Sequence, residues 1–379
     1  MQPLRMAMIG GGPGAFIGPI HRMAAELDGN IRLVAGAFSA HAERSREAGI
    51  AYGLAPERAY PDIAAMLAGE GEREDGADFV AVVTPNHLHL PAAEAALQAG
   101  FHVISDKPAT ATLAEALRLR AAVARSGLCY GLTHTYTGYA MIRQARALVA
   151  AGRIGEVRKV VVDYPQGWLS QPVEGPGSKQ AEWRSDPERS GAGGCIADIG
   201  VHAFNIAEYV TGLSVREICA DLSSMVPGRR LDDDANLLLR FSNGAGGVLQ
   251  VSQIAAGARN GLTLRVWGET GGLLWSHESP DRLVWEHDGE GTRILHAGGS
   301  GLYPSVLSAC RLPAGHPEGF IEAFANIYQS FAHAVAGRRS LLDNELPGIR
   351  AAVRGMAFIE TALASSRERR WLALEEIDA

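Results

Sequence analysis

Apolar and polar positions in the first third of the chain sort into two alternating kinds of segment. Short, almost continuous apolar runs at residues 4–9, 31–37 and 79–83 have the length of strands covered on both faces. Segments of helical character follow them, at 15–27, at 41–49 and 62–67, and at 90–99. A strand at 102–105, a helix at 113–126 and a strand at 128–133 continue the series. This alternation predicts an α/β fold with a doubly wound parallel sheet. From residue 157 the pattern changes. After a connecting helix at 139–151 and a strand at 157–164, strand-like runs recur at 215–222, 235–241, 247–254, 262–266, 272–275 and 282–285. Their succession without long helices predicts an antiparallel sheet. Helices at 319–335 and 347–364 close the chain, and the expected domains are 1–134 and 135–379.

Composition narrows the class. A length of 379 residues suits two sizeable cores, and 47% hydrophobic with 20% charged residues describe an ordinary globular chain. A net charge of −7 without any Lys/Arg-rich block argues against a nucleic-acid surface. Cys129, Cys195, Cys219 and Cys310 are scattered, with no C-x-x-C and no Cys/His pairing, so neither structural zinc nor a disulfide framework is expected. The chain enters a strand within a few residues, no apolar run reaches transmembrane length, and a cytoplasmic location with no membrane or nucleic-acid partner follows as the expectation.

The first candidate chemistry is the turn Gly10-Gly11-Gly12-Pro13-Gly14, set between a strand and a helix. In that context glycines let the backbone approach a pyrophosphate at the helix N-terminus, the dinucleotide fingerprint. Gly10, Gly12 and Ala15 satisfy the pattern formally, while Gly14-Ala15-Phe16-Ile17-Gly18 also reads as a short insertion that makes Gly18 the third functional glycine. At the end of the second strand, where a carboxylate would select NAD, stands Ser39. Ser39 can bond a hydroxyl or a phosphate. Arg44 can assist a 2′-phosphate or simply be a solvated helix residue. The cofactor is therefore NAD or NADP, with the balance toward NAD.

Thr84-Pro85-Asn86-His87-Leu88-His89 and Asp106-Lys107-Pro108 follow strands at the edge where open α/β sheets bind ligands. Lys107, restrained by the proline after it, can polarise a substrate oxygen. Residues 165–192 form a long Gly/Pro-rich stretch carrying Trp168, Trp183 and Arg184, and the faces of the two tryptophans either pack on a sugar or cover a sheet edge. Beyond it, Gly193-Gly194 leads into a helical run that stops at Thr211-Gly212. Ile199, Ala203, Ile206 and Val210 form its core stripe, and Asp198, His202 and Asn205 a polar stripe beside it. A carboxylate one turn from an imidazole suits proton transfer, although a structural Asp–His pair looks the same in sequence.

Together these motifs resemble the Gfo/Idh/MocA oxidoreductases, named after glucose–fructose oxidoreductase, inositol dehydrogenase and a rhizopine-catabolism protein. The resemblance covers essentially the whole chain. It rests on the glycine turn, on Thr84-Pro85-Asn86 with His89, on Asp106-Lys107-Pro108 where the family usually has Glu-Lys-Pro, and on Gly194…Asp198-x-Gly200-x-His202. It implies a Rossmann domain followed by an α/β domain with an open, mostly antiparallel sheet that commonly forms dimers or tetramers. It implies a cofactor site from Gly10 to Ile17, with Gly14, Ala15 and Phe16 in the lengthened loop, then Thr84, Pro85, Asn86, His89, Asp106, Lys107 and Pro108. Lys107 looks like the lysine that touches both nicotinamide ribose and substrate, and Asp198 and His202 like the substrate-facing pair, with His202 as acid/base. Asn205 stands where the family often has Asp. The expected reaction is NAD(P)-dependent oxidation of a secondary hydroxyl of a sugar, cyclitol or glycoside, without a metal. A redox-cycling glycosidase, a non-catalytic dinucleotide sensor and a reductase of imines or other non-sugar substrates are the alternatives.

Overall fold

The computed structural model describes residues 2–173, 187, 191–337 and 345–375. The chain divides into two compact units, Met1–His134 with Phe324–Val353, and Thr135–Ala323 with Arg354–Asp378.

The first unit is built on a five-stranded, wholly parallel sheet in the order β2-β1-β3-β4-β5, with β1 Leu4–Gly10, β2 Ile31–Ala37, β3 Phe79–Val83, β4 His102–Ser105 and β5 Tyr130–Leu132. All five residues of β3 are buried, as the uninterrupted apolar run requires of a strand with covered faces. Strand order reverses between β1 and β3, where Gly10 pairs with Val83, so the two strands that flank the switch point end side by side. The first helix starts at Ile17 rather than 15, because Ala15 N–H donates to Gly12 O (2.9 Å) and the chain turns once more before helical bonding begins. Thr112 caps the helix Leu113–Ser126 at Glu115 N (3.2 Å), and Gly127 ends it at φ +65°. Phe324–Val353, assigned by sequence to the second domain, packs here. Phe331 meets Phe79 ring to ring at 5.1 Å, and Pro347 O accepts the N–H of Leu132 (2.7 Å).

The second unit carries a nine-stranded sheet. Its strands are β6 Val157–Pro165, β7 Val215–Ser223, β8 Asp234–Phe241, β9 Gly246–Ser252, β10 Thr263–Gly268, β11 Gly271–Ser276, β12 Arg282–His287, β13 Gly291–His296 and β14 Leu372–Ala373, in the order β13-β12-β11-β10-β6-β9-β8-β7-β14. Every pairing is antiparallel except β6 with β9. In β8, Ala235, Leu237, Leu239 and Phe241 are buried while Leu238 and Arg240 between them are exposed, the signature of a sheet packed on one face. β13 and β14 were not read from the sequence. The first is exposed at nearly every position and so carries no alternation, and the second has two residues, too few for a period. Helices Ala140–Ala150, Val201–Thr211 and the end of Ile349–Glu368 belong to this unit, with Phe204 and Phe358 stacked at 4.4 Å.

Candidate functional site

The dinucleotide fingerprint of the first unit is assembled from glycines that carry different burdens. Gly10, Gly11 and Gly14 have φ of +91°, +76° and +77°, which turns the chain sharply off β1. Gly18, not Ala15, is the packing glycine: a Cβ there would lie 2.5 Å from the Cα of Gly11, so the helix can approach the turn only at a residue without a side chain. Tyr52, which no motif marked, donates its hydroxyl to Gly11 O (2.8 Å) and packs its ring on Phe38. The helix Ile17–Glu26 has no side-chain cap and no acidic residue in its first turn, which leaves its N-terminal amides suited to a phosphate. Phe16 at that N-cap is exposed.

Beyond β2, Ser39 Oγ accepts the N–H of His41 (3.2 Å) and Arg44 is exposed on the helix Ala42–Ala51. Beyond β3, Thr84 Oγ1 is buried without a hydrogen-bond partner, a donor and acceptor that a bound group can satisfy. Asn86 is buried at the start of a short 3₁₀ turn. His89 is 1% exposed and lies between two backbone carbonyls, Nδ1 2.7 Å from Pro108 O and Nε2 2.8 Å from Thr84 O, so its ring ties the Thr84 step to the Asp106 step. Burial lowers its pKa against the pull of Asp106. Asp106 Oδ1 accepts from Lys107 N (2.8 Å) and Thr133 Oγ1 (3.1 Å), and Lys107 is half-buried before a cis proline. Burial, with the Lys107 charge adding to it, pushes the pKa of His134 down to about 3. A second buried imidazole, His21, is pushed by burial to about 4, with Nδ1 2.7 Å from Tyr328 OH. The uncapped helix, the glycine turn and the orphaned Thr84 hydroxyl fit a dinucleotide.

In the second unit the expected single helix is two pieces. Ile196–Gly200 is a π-helical turn, and the α-helix runs only from Val201 to Thr211. Asp198 therefore sits on the wider turn and His202 on the first turn of the α-helix. Asp232 accepts Gly194 N on Oδ1 (2.6 Å) and Ile196 N on Oδ2 (2.7 Å), and its carbonyl accepts Cys195 N (2.8 Å), so the start of the segment is pinned by one distant residue. A Cβ on Gly194 would meet Asp232 O at 2.2 Å. The core stripe nevertheless holds: Ile199, Ala203, Ile206 and Val210 are all buried. Such π-turns recur at functional sites.

His202 is 8% exposed and meets the ring of Tyr136 edge-on at 5.0 Å. Gln253 Nε2 donates to Asp198 Oδ2 (2.8 Å). Asn205, one turn from His202, keeps a buried Oδ1 with no hydrogen-bond partner. Around them lies a network absent from the sequence reading. Asn260 Nδ2 donates to Tyr136 OH (3.0 Å), Tyr136 OH and Tyr164 OH hydrogen-bond each other, and Tyr164 OH donates to Asn260 Oδ1 (2.7 Å). The two amide contacts leave one proton order around this ring, with Tyr136 donating to Tyr164. His277 Nδ1 donates to Asn260 O (2.9 Å), so its Nε2 accepts from Tyr139 OH (3.0 Å). Burial raises the pKa of Tyr136, Tyr139 and Tyr164 and lowers that of His277, which keeps all four neutral. Trp168 is 40% exposed and donates Nε1 to Gln166 Oε1 (3.1 Å); Trp183 and Arg184 lie outside the described residues. The polar aromatic run from Thr135 to Tyr139, just past the last strand of the parallel sheet, was the one sequence signal for this network. Asn260, His277, Gln253 and Asp232 stand outside any motif. Among the described residues no group of three or more His, Cys, Asp or Glu is placed to hold a metal ion, and no helix is long and apolar enough to cross a membrane.

Comparison with known proteins agrees with both halves. Residues 4–134 match the oxidoreductase family model with an NAD-binding Rossmann fold, and 142–274 match the GFO/IDH/MocA C-terminal domain. The uncharacterized oxidoreductase YfiI of Bacillus subtilis is 34% identical over 375 residues, 97% of this chain and 95% of its own. An inositol dehydrogenase homolog from Azotobacter vinelandii, solved with NAD⁺, is 37% identical with a TM-score of 0.93, covering 98% of this chain and 97% of that one. A structure of such a homolog from the same organism with NADH and myo-inositol is 36% identical with a TM-score of 0.90, covering 98% of each chain. With its parallel Rossmann sheet, its mostly antiparallel second sheet and matches over both, the chain belongs to the Gfo/Idh/MocA oxidoreductase family.

Proposed function

We propose that this protein is an NAD(P)-dependent dehydrogenase that oxidises a secondary hydroxyl of a sugar, cyclitol or glycoside. The observation that carries this reading is the Asp198 cluster: a carboxylate, an imidazole and an orphaned amide oxygen beside a wall of neutral tyrosines. Such a surface offers a polyol several hydrogen bonds, and the buried Asn205 Oδ1 needs a donor that a hydroxyl supplies. The myo-inositol bound to the Azotobacter homolog is a ligand of this class.

The amides at the start of the helix Ile17–Glu26 would hold the pyrophosphate of the cofactor, and the unpartnered Thr84 hydroxyl would hydrogen-bond to the bound group. When bound, the nicotinamide supplies the hydride acceptor. His202 takes the proton of the substrate hydroxyl, and Asp198 stabilises the imidazolium that results. Lys107 stabilises the negative charge that develops on the substrate oxygen. Tyr136 takes no part in proton transfer, because its own proton is committed within the ring with Tyr164 and Asn260. Its edge fixes the plane of the His202 ring. Ser39 brings no charge against a 2′-phosphate, so NADP is accepted beside NAD, with NAD preferred.

The test is a spectrophotometric screen of inositols, sugars and glycosides against NAD and NADP in parallel. Reduction of cofactor with a cyclitol or sugar is the expected result. Tight cofactor binding without turnover on any of them would replace this reading with that of a dinucleotide sensor.

A further inference from the structure

Asp198 stands on the wide turn, and both the start of that turn and the partner of its carboxylate are tied to two consecutive residues elsewhere in the chain. Asp232 takes the three amides of Gly194, Cys195 and Ile196, as described above. The carbonyl of Asp233 accepts the main-chain N–H of Gln253 (2.9 Å). Asp233 is itself immobilised: it is 0% exposed, pairs with Arg229 (2.9 Å) and accepts the amides of Met225 and Val226. We propose that Gln253 is a positioning residue for the reaction, its side-chain amide holding the Asp198 carboxylate at a place set by the Asp232–Asp233 step. This rests on the role given to Asp198 above.

The chemistry follows from the donor inventory. A carboxylate only accepts, so the face that Gln253 turns to Asp198 is its NH₂ group, and donation to the charged form favours that form. Gln253 is 2% exposed, so water cannot readily replace the bond. Tyr136, Tyr164 and Cys195 also feel the Asp198 charge, and all three are held neutral, chiefly by burial. Asp232, near Cys195, adds negative charge, and His202 stands on the next turn. Gln253 is thus a neutral donor, able to stabilise the carboxylate without competing with His202 for it.

The experiment is carboxyl ¹³C NMR of aspartate-labelled protein, with the Asp198 signal identified by its loss in Asp198→Asn. The expected result is a titration midpoint about one unit or more higher in Gln253→Met than in the wild type. Gln253→Glu places a second carboxyl beside the first, and the pair then titrates with one midpoint well above the other. With the substrate found in the screen, Gln253→Met lowers kcat about tenfold at unchanged KM and unchanged NAD(H) affinity, a loss that corresponds to one hydrogen bond to a charged group. Its acid limb moves with the NMR midpoint, which a merely structural residue would not produce. An unchanged midpoint in a Gln253→Met protein of normal melting temperature overturns the proposal. If Gln253→Met does not fold, Gln253→Glu decides: a single midpoint equal to that of the wild type overturns the proposal. The NMR needs no substrate, so failure of the dehydrogenase reading and failure of this proposal are told apart.

Discussion

The nucleotide edge of the first unit and the Asp198 cluster of the second are built by different means. On the parallel sheet, the glycine turn, the Thr84 step and the Asp106 step are held largely through main-chain atoms. Tyr52 reaches a carbonyl, His89 lies against two, and Gly18 admits a neighbouring Cα. In the second unit, side chains from β6, the residue after β9 and the segments flanking β10 and β11 hold one another, while the start of the π-turn is gripped through its backbone. A main-chain site depends on a few glycines and on steric room. A side-chain site depends on which atom donates, so changes that barely alter shape can empty it.

The largest expected contrast is in chemistry. His202→Asn keeps hydrogen-bonding capacity but removes the ionisable imidazole, and turnover should fall by roughly 10²–10⁴ with NAD(H) affinity unchanged by calorimetry. Lys107→Ala should cost as much in rate and also weaken cofactor binding. If both variants bind and turn over like the wild type, the acid–base assignment fails.

Next comes acid stability, where the two regions have opposite signs. Burial pushes His21 down to about 4, so its contribution is present above the unfolded value near 6.5 and is lost as pH falls toward 4. That loss amounts to about 3 kcal/mol. Burial pushes Asp232 up to about 6, so its contribution is present below the unfolded carboxylate value and is lost as pH rises through about 6. Melting temperatures measured from pH 7.5 down to 4 should fall less steeply for His21→Asn than for the wild type. Parallel curves would show that His21 does not carry the acid loss.

Two glycine substitutions sharpen the comparison at a smaller scale. Gly18→Ala places a Cβ 2.5 Å from Gly11 Cα, and Gly194→Ala places one 2.2 Å from Asp232 O. Each should destabilise by about 1–3 kcal/mol. Their functional effects should separate: Gly18→Ala weakens NAD(H) binding, while Gly194→Ala lowers kcat at normal cofactor affinity. Losses of both kinds in both variants would erase the distinction drawn here.

The smallest effect concerns cofactor choice. Ser39→Asp introduces a charge where the 2′-position of the ribose is expected, and the NAD/NADP preference should move toward NAD by about tenfold, the size of one charge contact. An unchanged ratio of kcat/KM values would place Ser39 away from the ribose.

How much was legible follows the same division. The glycine turn, the steps after β3 and β4, and the change from alternating strands and helices to successive strands could all be read because local steric rules and burial periodicity write them into neighbouring residues. The buried stripe Ile199, Ala203, Ile206 and Val210 was legible for the same reason, while the π-turn was not, and the residue that takes the amides at its start is Asp232, far off in sequence. Residues 324–353 follow the second unit in chain order yet group with the first by contact, since a helix's apolar face does not say which sheet it will cover. The sequence by itself determined the two kinds of sheet and the fingerprint turn. Only the tertiary structure decided that Gly18 rather than Ala15 packs the turn, that Gln253 holds Asp198, and that Tyr136, Tyr164 and Asn260 close a ring beside His202. Periodicity reports which face of an element is buried, whereas a hydrogen bond between side chains on separate strands depends on register and distance, which no single stretch of chain contains.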